Sequence, residues 1–195
     1  MKWLRNLYDW VLHWAETPYA VPALFVLAVA ESSFFPVPPD VLLIALAMAA
    51  PAKSFRLAAV CSVGSVAGGI VGYGIGLYGY EAIGRPIVEF YNGQPVMEAI
   101  QLQYARHGFW GILIAAVTPI PYKVFTIASG VFKFDFWLFL AASIVGRSTR
   151  FFVVAGLIWK YGRPIREFID RYFNRLSYLF ILLLIAGFLI LKYAF

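Results

Sequence analysis

Apolar runs of two lengths alternate along this chain. Tyr19 to Ala30 and Val41 to Ala50 are short, Leu57 to Tyr80 is long, Phe109 to Val117 and Val124 to Phe132 are short again, and Phe134 to Trp159 is long. As helices the first two would reach roughly 18 and 15 Å at about 1.5 Å per residue, about half of a hydrocarbon core roughly 30 Å thick. Between them stands ESSFFPVPPD, Glu31 to Asp40. Pro36, Pro38 and Pro39 remove backbone donors there and break any helix between a glutamate and an aspartate. The pattern predicts a helix, a sharp bend and a returning helix, a re-entrant hairpin. Phe109 to Val117, the stretch TPIPYK (Thr118 to Lys123) and Val124 to Phe132 repeat that plan, with Pro119 and Pro121 at the tip.

The long runs are predicted spans. Leu57 to Tyr80 holds 24 residues without a formal charge, seven of them glycine, and Gly64, Gly68 and Gly72 give the small-xxx-small spacing of closely packed membrane helices. Phe134 to Trp159 is long enough to cross but carries Arg147 and Arg150 near its middle. Residues 2 to 16 place Trp3, Leu4, Leu7, Trp10, Val11 and Trp14 at helical spacing with polar residues opposite, the pattern of an amphipathic helix lying in the interface. Glu81 to His107 is polar, with a turn at Asn92-Gly93 and a second interfacial helix predicted from Pro95. Lys160 to Arg175 is basic, and Tyr178 to Leu191 is a final short span anchored by Lys192 and Tyr193.

Two pieces of sequence recur. Gly84-Arg-Pro-Ile-Val-Glu-Phe90 matches Gly162-Arg-Pro-Ile-Arg-Glu-Phe168, 78 residues on, and Pro36-Val-Pro38 matches Pro119-Ile-Pro121, 83 residues on. The chain therefore reads as two copies of one unit, hairpin then span, over residues 19–90 and 108–168. A hairpin makes no net crossing and a span makes one, so the second copy is inverted. Inverted repeats with broken helices are transporter architecture, with the site where the broken segments meet near the midplane. The expected organisation is an interfacial helix at 1–18, a membrane domain at 19–175 and a C-terminal transmembrane helix at 176–195. The expected fold class is an all-α integral membrane protein of two inverted repeats, each a re-entrant helical hairpin plus a transmembrane helix.

Composition agrees with a membrane protein: of 195 residues 62% are hydrophobic and 13% charged. The net charge of +6 comes from basic residues flanking apolar runs, not from a stripe with exposed aromatics, which argues against a nucleic-acid partner. Under the inverted topology, Lys2, Arg5, Lys53, Arg56, Lys160, Arg163, Arg166, Arg171 and Arg175 fall on one side. Arg85, Arg106, Lys133 and Lys192 fall on the other, which makes the first side and the N-terminus cytoplasmic. Ala28-Val29-Ala30 resembles a signal-peptide cleavage site, but the leader before it is too long and carries Asp9 and Glu16. The single cysteine, Cys61, lies in an apolar run and reads as a small buried hydrophobe.

Carboxylates inside a bilayer are costly, about 2.5 kcal/mol or more for an aspartate at a helix centre, so Glu31 and Asp40 are candidates for proton coupling or gating. Asp40 also suits the N-cap of the helix that follows, and Glu31 a structural pair with Lys123, Arg147 or Arg150. Lys123 lies in the first turn of a half-helix, where free amides and the positive dipole end already favour an anion. Arg147 and Arg150, three apart, share one helix face. These three cations are the candidate phosphate-binding residues, and Pro36, Pro38, Pro39, Pro119 and Pro121 shape the tips. No Walker A loop, HExxH, Cys/His zinc spacing or GxSxG elbow occurs, so neither an enzyme, a metal nor a cofactor is expected. His13 and His107 read as interfacial polar residues.

Glu31, the Phe-Pro-x-Pro-x-Asp run from Phe35 to Asp40, and Pro119-Ile-Pro121 leading to Ala128-Ser129-Gly130 resemble the DedA family. That family is also described as the VTT or SNARE-associated domain superfamily, and the likeness is to its shorter YqaA-type branch, over roughly residues 20 to 165. The resemblance implies a bacterial inner-membrane protein with a role in membrane homeostasis, including recycling of undecaprenyl phosphate. Eukaryotic relatives are associated with phospholipid scrambling. The family's embedded acidic residues carry over to Glu31 and Asp40. Its paired arginines do not carry over cleanly: the first falls at Thr118, and the second is represented by Lys123, out of register. Arg147 and Arg150 are the residues able to supply the missing charge.

The expected function is a lipid translocase that holds an anionic headgroup in a polar pocket between two hairpins while the tails stay in the bilayer. Its partners are membrane lipids, and the glycine-rich span admits a homodimer without requiring one. Two alternatives use the same residues: a proton-coupled carrier of a small solute or ion, and a non-transporting membrane scaffold.

Overall fold

The computed structural model describes residues 18–35, 38–90, 94–118 and 120–162. The expected N-terminal interfacial helix, the turn at Asn92-Gly93, the second GRPI segment beyond Gly162, the C-terminal span and the tip residues Pro36 and Pro119 lie outside them. The described residues are helical, with no strand among them. Helix α1 is Ala20–Ser33 and α2 is Asp40–Ala49. A 3-10 turn, Pro51–Lys53, leads into α3, Ser54–Gly79, and a π-helical turn, Tyr80–Gly84, continues it into α4, Arg85–Phe90. Helix α5 is Gln94–Val117, α6 is Tyr122–Val131, and α7 is Phe136–Gly162.

Proline sets most of these boundaries. Helix α2 begins directly after Pro39, whose φ of −69° already suits a helix, and ends at Ala50, which is extended because Pro51 follows it. Helix α6 likewise starts after Pro121. It ends where Lys133 takes a left-handed φ of 51°, and the Asp135 carboxylate then accepts the Leu138 amide at 2.8 Å and caps α7. One expected boundary is absent: the interfacial helix predicted from Pro95 and the apolar arm from Phe109 form the single helix α5. Only Gly108 separates them, and a lone glycine weakens a helix by about 1 kcal/mol without stopping it. Here it seats against the rings of Tyr104 and Phe134.

Two helical segments, Pro51–Ala82 and Phe136–Gly162, are long and apolar enough to cross a membrane. They run antiparallel: Phe55 lies 5.9 Å from Trp159 at one end, and Tyr73 lies 5.5 Å from Phe136 at the other. Helix α3 is the hub, its glycine face packed on α1 and on α6. A Cβ on Gly68 would sit 2.8 Å from the Val29 Cα, and one on Gly76 2.9 Å from the Ile127 carbonyl carbon, so both positions require glycine for the helices to approach this closely. The small-residue face expected to pack helices is thus filled within the chain by α1 and α6.

Two apolar clusters surround this hub. Leu24, Leu42, Leu43, Leu57, Phe151 and Ile158 join α1, α2, α3 and α7, with Cys61 fully buried among them. Ile112, Ala116, Tyr122, Phe139 and Ala142 join α5, α6 and α7. Arg147 sits between them, against Phe151 of the first and Tyr122 of the second.

Candidate functional site

Arg147 and Arg150 stand one turn apart on α7, roughly 17 and 21 Å along a helix roughly 40 Å long at about 1.5 Å per residue, so both start near the middle of that helix. Each finds a carboxylate on the broken segment of the first half. Arg147 Nη2 donates to Glu31 Oε2 at 2.9 Å. Arg150 grips Asp40 through both arms of its fork, Nε to Oδ1 at 3.1 Å and Nη2 to Oδ2 at 3.0 Å. Its remaining arm, Nη1, donates to the Thr118 carbonyl at 2.7 Å.

Around Arg147 the donors and acceptors form a closed ring. Arg147 Nε donates to Ser65 Oγ, Ser65 and Ser32 meet at 2.7 Å, and Ser32 Oγ donates to Glu31 Oε2 at 3.1 Å. The directions follow from chemistry: a carboxylate only accepts and a guanidinium only donates, so the Ser65 hydroxyl donates to Ser32. Such chains polarise one another and strengthen in a low dielectric. The rings of Tyr122 and Phe151 lie 5.0 and 4.7 Å from the guanidinium carbon and complete its enclosure. Arg147 is 2% exposed. Removing one member of such a pair leaves the other charge buried and unpaired, which costs about 3–5 kcal/mol.

Lys123 takes another role. Its Nζ donates to the Phe35 carbonyl at 2.8 Å, just past the end of α1. Thr126 Oγ1 reaches the Ser32 carbonyl at 3.2 Å, and Ser33 Oγ reaches the Gly68 carbonyl at 2.9 Å. The last carbonyls of a helix have no intrahelical donors, so Lys123 and Thr126 satisfy an α1 end that stops inside the protein, while Ser33 ties that end to the α3 backbone. Three cations thereby hold all four broken helix ends. Arg147 and Lys123 bind the end of α1, Arg150 joins the start of α2 to the end of α5, and Lys123 itself stands at the start of α6.

The expected site residues with described side chains come together, though not as one cluster: two arginine–carboxylate pairs and a separate lysine–carbonyl bond. Asp40 departs from the N-cap reading, since it is the first residue of α2 and its carboxylate goes to Arg150. Pro39 is buried beside it, Pro38 is half-buried and Pro121 is exposed. Sequence reasoning missed Ser32, Ser65 and Tyr122. Ser65 hides in the glycine face as one more small residue, and the signal available was a hydroxyl one turn from Ser62 in a charge-free run. A cleft of about 250 Å³ opens beside the second pair, lined by Asp40, Val117, Thr149, Arg150, Val153 and Val154. Among the described residues no group of His, Cys, Asp or Glu could hold a metal ion.

Two helices long and apolar enough to cross a membrane, with arginine–carboxylate pairs near the middle of the second, point to a membrane protein. The VTT domain model matches residues 37–160, and the chain belongs to that family, the DedA family. Membership suggests a membrane transporter-like role. Two relatives span nearly all of the chain and the whole of their own length. They are an uncharacterized protein of Haemophilus influenzae and one of Histophilus somni, each 30% identical over 192 residues, 98% of this chain. No solved structure matches it.

Proposed function

We propose that this protein is a lipid translocase that passes an anionic headgroup, a polyprenyl phosphate or a phospholipid, between two re-entrant hairpins while the acyl or prenyl tails stay in the bilayer. The observation that carries this reading is the meeting of Arg147, Arg150 and Lys123 with four interrupted helix ends near the middle of two apolar spans. Charges at that depth are expensive and mark transport pathways by default. Here they occupy the place where broken helices put substrate sites.

The two halves correspond in a way that supports inversion. At the offset of the matching Pro-x-Pro tips, Asp40 in the first half answers to Lys123 in the second, each in the first turn of a short helix. Opposite charges thus stand at equivalent places, Asp40 on Arg150 beside the cleft and Lys123 on the Phe35 carbonyl. The cleft of about 250 Å³ is smaller than a whole-ligand pocket of about 300–1,000 Å³ and suits a headgroup whose tails remain outside.

Charge also orients the bundle. Exposed Lys53, Arg56 and Lys160 cluster at the Phe55–Trp159 end. At the other end Lys133 and Arg85 are tied to Glu81 and Glu89. The first end faces the cytoplasm of a bacterial inner membrane in this reading.

Transbilayer movement of labelled phospholipid and polyprenyl phosphate in proteoliposomes tests it, with Glu31→Gln and Lys123→Ala at matched protein content. Movement supported by the wild type and lost in both variants is expected. Absence of movement of either lipid, with and without a proton gradient, would overturn the reading in favour of a small-solute carrier or a scaffold.

A further inference from the structure

Arg147 and Arg150 are chemically identical and one turn apart, yet their surroundings differ in kind. Arg147 has its Nε and one Nη committed inside a closed ring, two aromatic faces against it, and 2% of its side chain exposed. Arg150 is 18% exposed and its partner Asp40 17%, and the pair forms a wall of the cleft beside the end of α5. In the first, the guanidinium is enclosed while the Glu31 side chain is 13% exposed; in the second, guanidinium and carboxylate are both partly exposed on a cleft.

The chemistry of the Arg150 fork makes a swap isosteric. Two parallel N–H groups bind the two oxygens of a carboxylate or two oxygens of a phosphate with the same geometry. Among the described residues the Asp40 carboxylate bonds to Arg150 and makes no capping bond to its own helix. The first-turn amides of α2, which have no intrahelical acceptors, lie at the same end of that helix. Thr149 also lines the cleft.

We propose that Arg150 is the exchangeable anion site: a phosphate-ester oxyanion entering the cleft displaces Asp40 from the guanidinium fork, while Arg147 stays locked to Glu31 as a fixed anchor. This deepens the translocase reading and rests on it. It reassigns phosphate contact from the two arginines together to Arg150, with Asp40 as the built-in competitor. Because Arg150 also holds the Thr118 carbonyl, the exchange takes place where α2 and α5 are stitched together.

The test is binding, measured apart from transport. The full chain in detergent is titrated with dioctanoyl phosphatidate, with inorganic phosphate and with dioctanoyl phosphatidylcholine, and thermal stabilisation reports affinity. Asp40→Asn is expected to bind phosphate-ester ligand about tenfold tighter than wild type, the order gained when a competing charged hydrogen bond is removed. Arg150→Gln is expected to lose the binding. Since Arg150→Gln alone strands Asp40, the double variant Asp40→Asn/Arg150→Gln keeps the question answerable: it is expected to fold without binding. Tightening with phosphatidate alone makes the ligand the lipid headgroup, and equal tightening with inorganic phosphate makes it the free ion. Either upholds exchange. Asp40→Asn that binds no tighter than wild type, or a folded double variant that still binds, overturns it. Overturned binding with intact lipid movement would leave the translocase reading standing, whereas tightened binding without lipid movement would remove translocation and leave the site.

Discussion

Glu31 and Arg147 lie 116 residues apart in sequence and 2.9 Å apart in the fold, joined again through Ser32 and Ser65 in a ring of hydrogen bonds. The ring ties the end of α1 to both spanning helices. It fixes the first broken helix where an unpaired carboxylate would otherwise stand in hydrocarbon.

Glu31→Gln and Arg147→Gln are each expected to destabilise the protein by about 3–5 kcal/mol, because each strands a buried charge. The double variant Glu31→Gln/Arg147→Gln is expected to recover most of that loss. Thermal melting in detergent measures the cycle, and a double variant as unstable as the sum of the singles would contradict the pairing.

The glycine face yields a sharper contrast. Gly68→Val places a branched side chain against the Val29 backbone, whereas Gly74 has no atom within 4 Å of a built Cβ. Gly68→Val is expected to abolish folding or lower the melting temperature steeply, and Gly74→Ala to leave it unchanged or raise it slightly, by up to about 1 kcal/mol of helix propensity. Equal tolerance of both would mean that α1 does not pack on α3 as described.

Lys123→Met removes the donor to the Phe35 carbonyl and leaves that oxygen without its charged partner. A loss of about 1–3 kcal/mol is expected, with Lys123→Arg recovering part of it. Thermal melting of the two variants checks this, and a Lys123→Met protein as stable as wild type would contradict the bond.

Cys61 is fully buried, so a membrane-permeant maleimide should leave it unlabelled until the protein is denatured. In a Cys61→Ala background, Lys53→Cys and Lys133→Cys report opposite ends of the bundle. They are expected to react with an impermeant maleimide from opposite faces of the membrane, the first from the cytoplasm. Labelling of both from one face would contradict the antiparallel spans.

The element pattern was legible in the sequence where proline wrote it. Pro39 and Pro121 mark the starts of α2 and α6 because they forbid the alternative locally. The fusion of two expected elements into α5 was not legible, since the change from a polar to an apolar stretch at His107 suggests a boundary, whereas Gly108 stays helical between Tyr104 of its own helix and Phe134 beyond it. The site shows the same divide. That Glu31, Asp40, Arg147 and Arg150 are candidates follows from charge in apolar segments, and that Lys123 is one follows from its place in the first turn of a half-helix. Which carboxylate meets which arginine depends on the rotation of α7 against α1 and α2, a tertiary quantity that no spacing encodes. Ser32 and Ser65 stayed hidden for the same reason, because a serine becomes a ligand only through what faces it.

The most direct measurement is lipid movement in proteoliposomes carrying wild type and the charge-free double variant Asp40→Asn/Arg150→Gln, each verified as folded. The account predicts that the wild type moves an anionic lipid across the bilayer and that the double variant moves it at the rate of empty liposomes. A folded double variant that moves the lipid as fast as wild type would contradict a headgroup path through the broken helix ends.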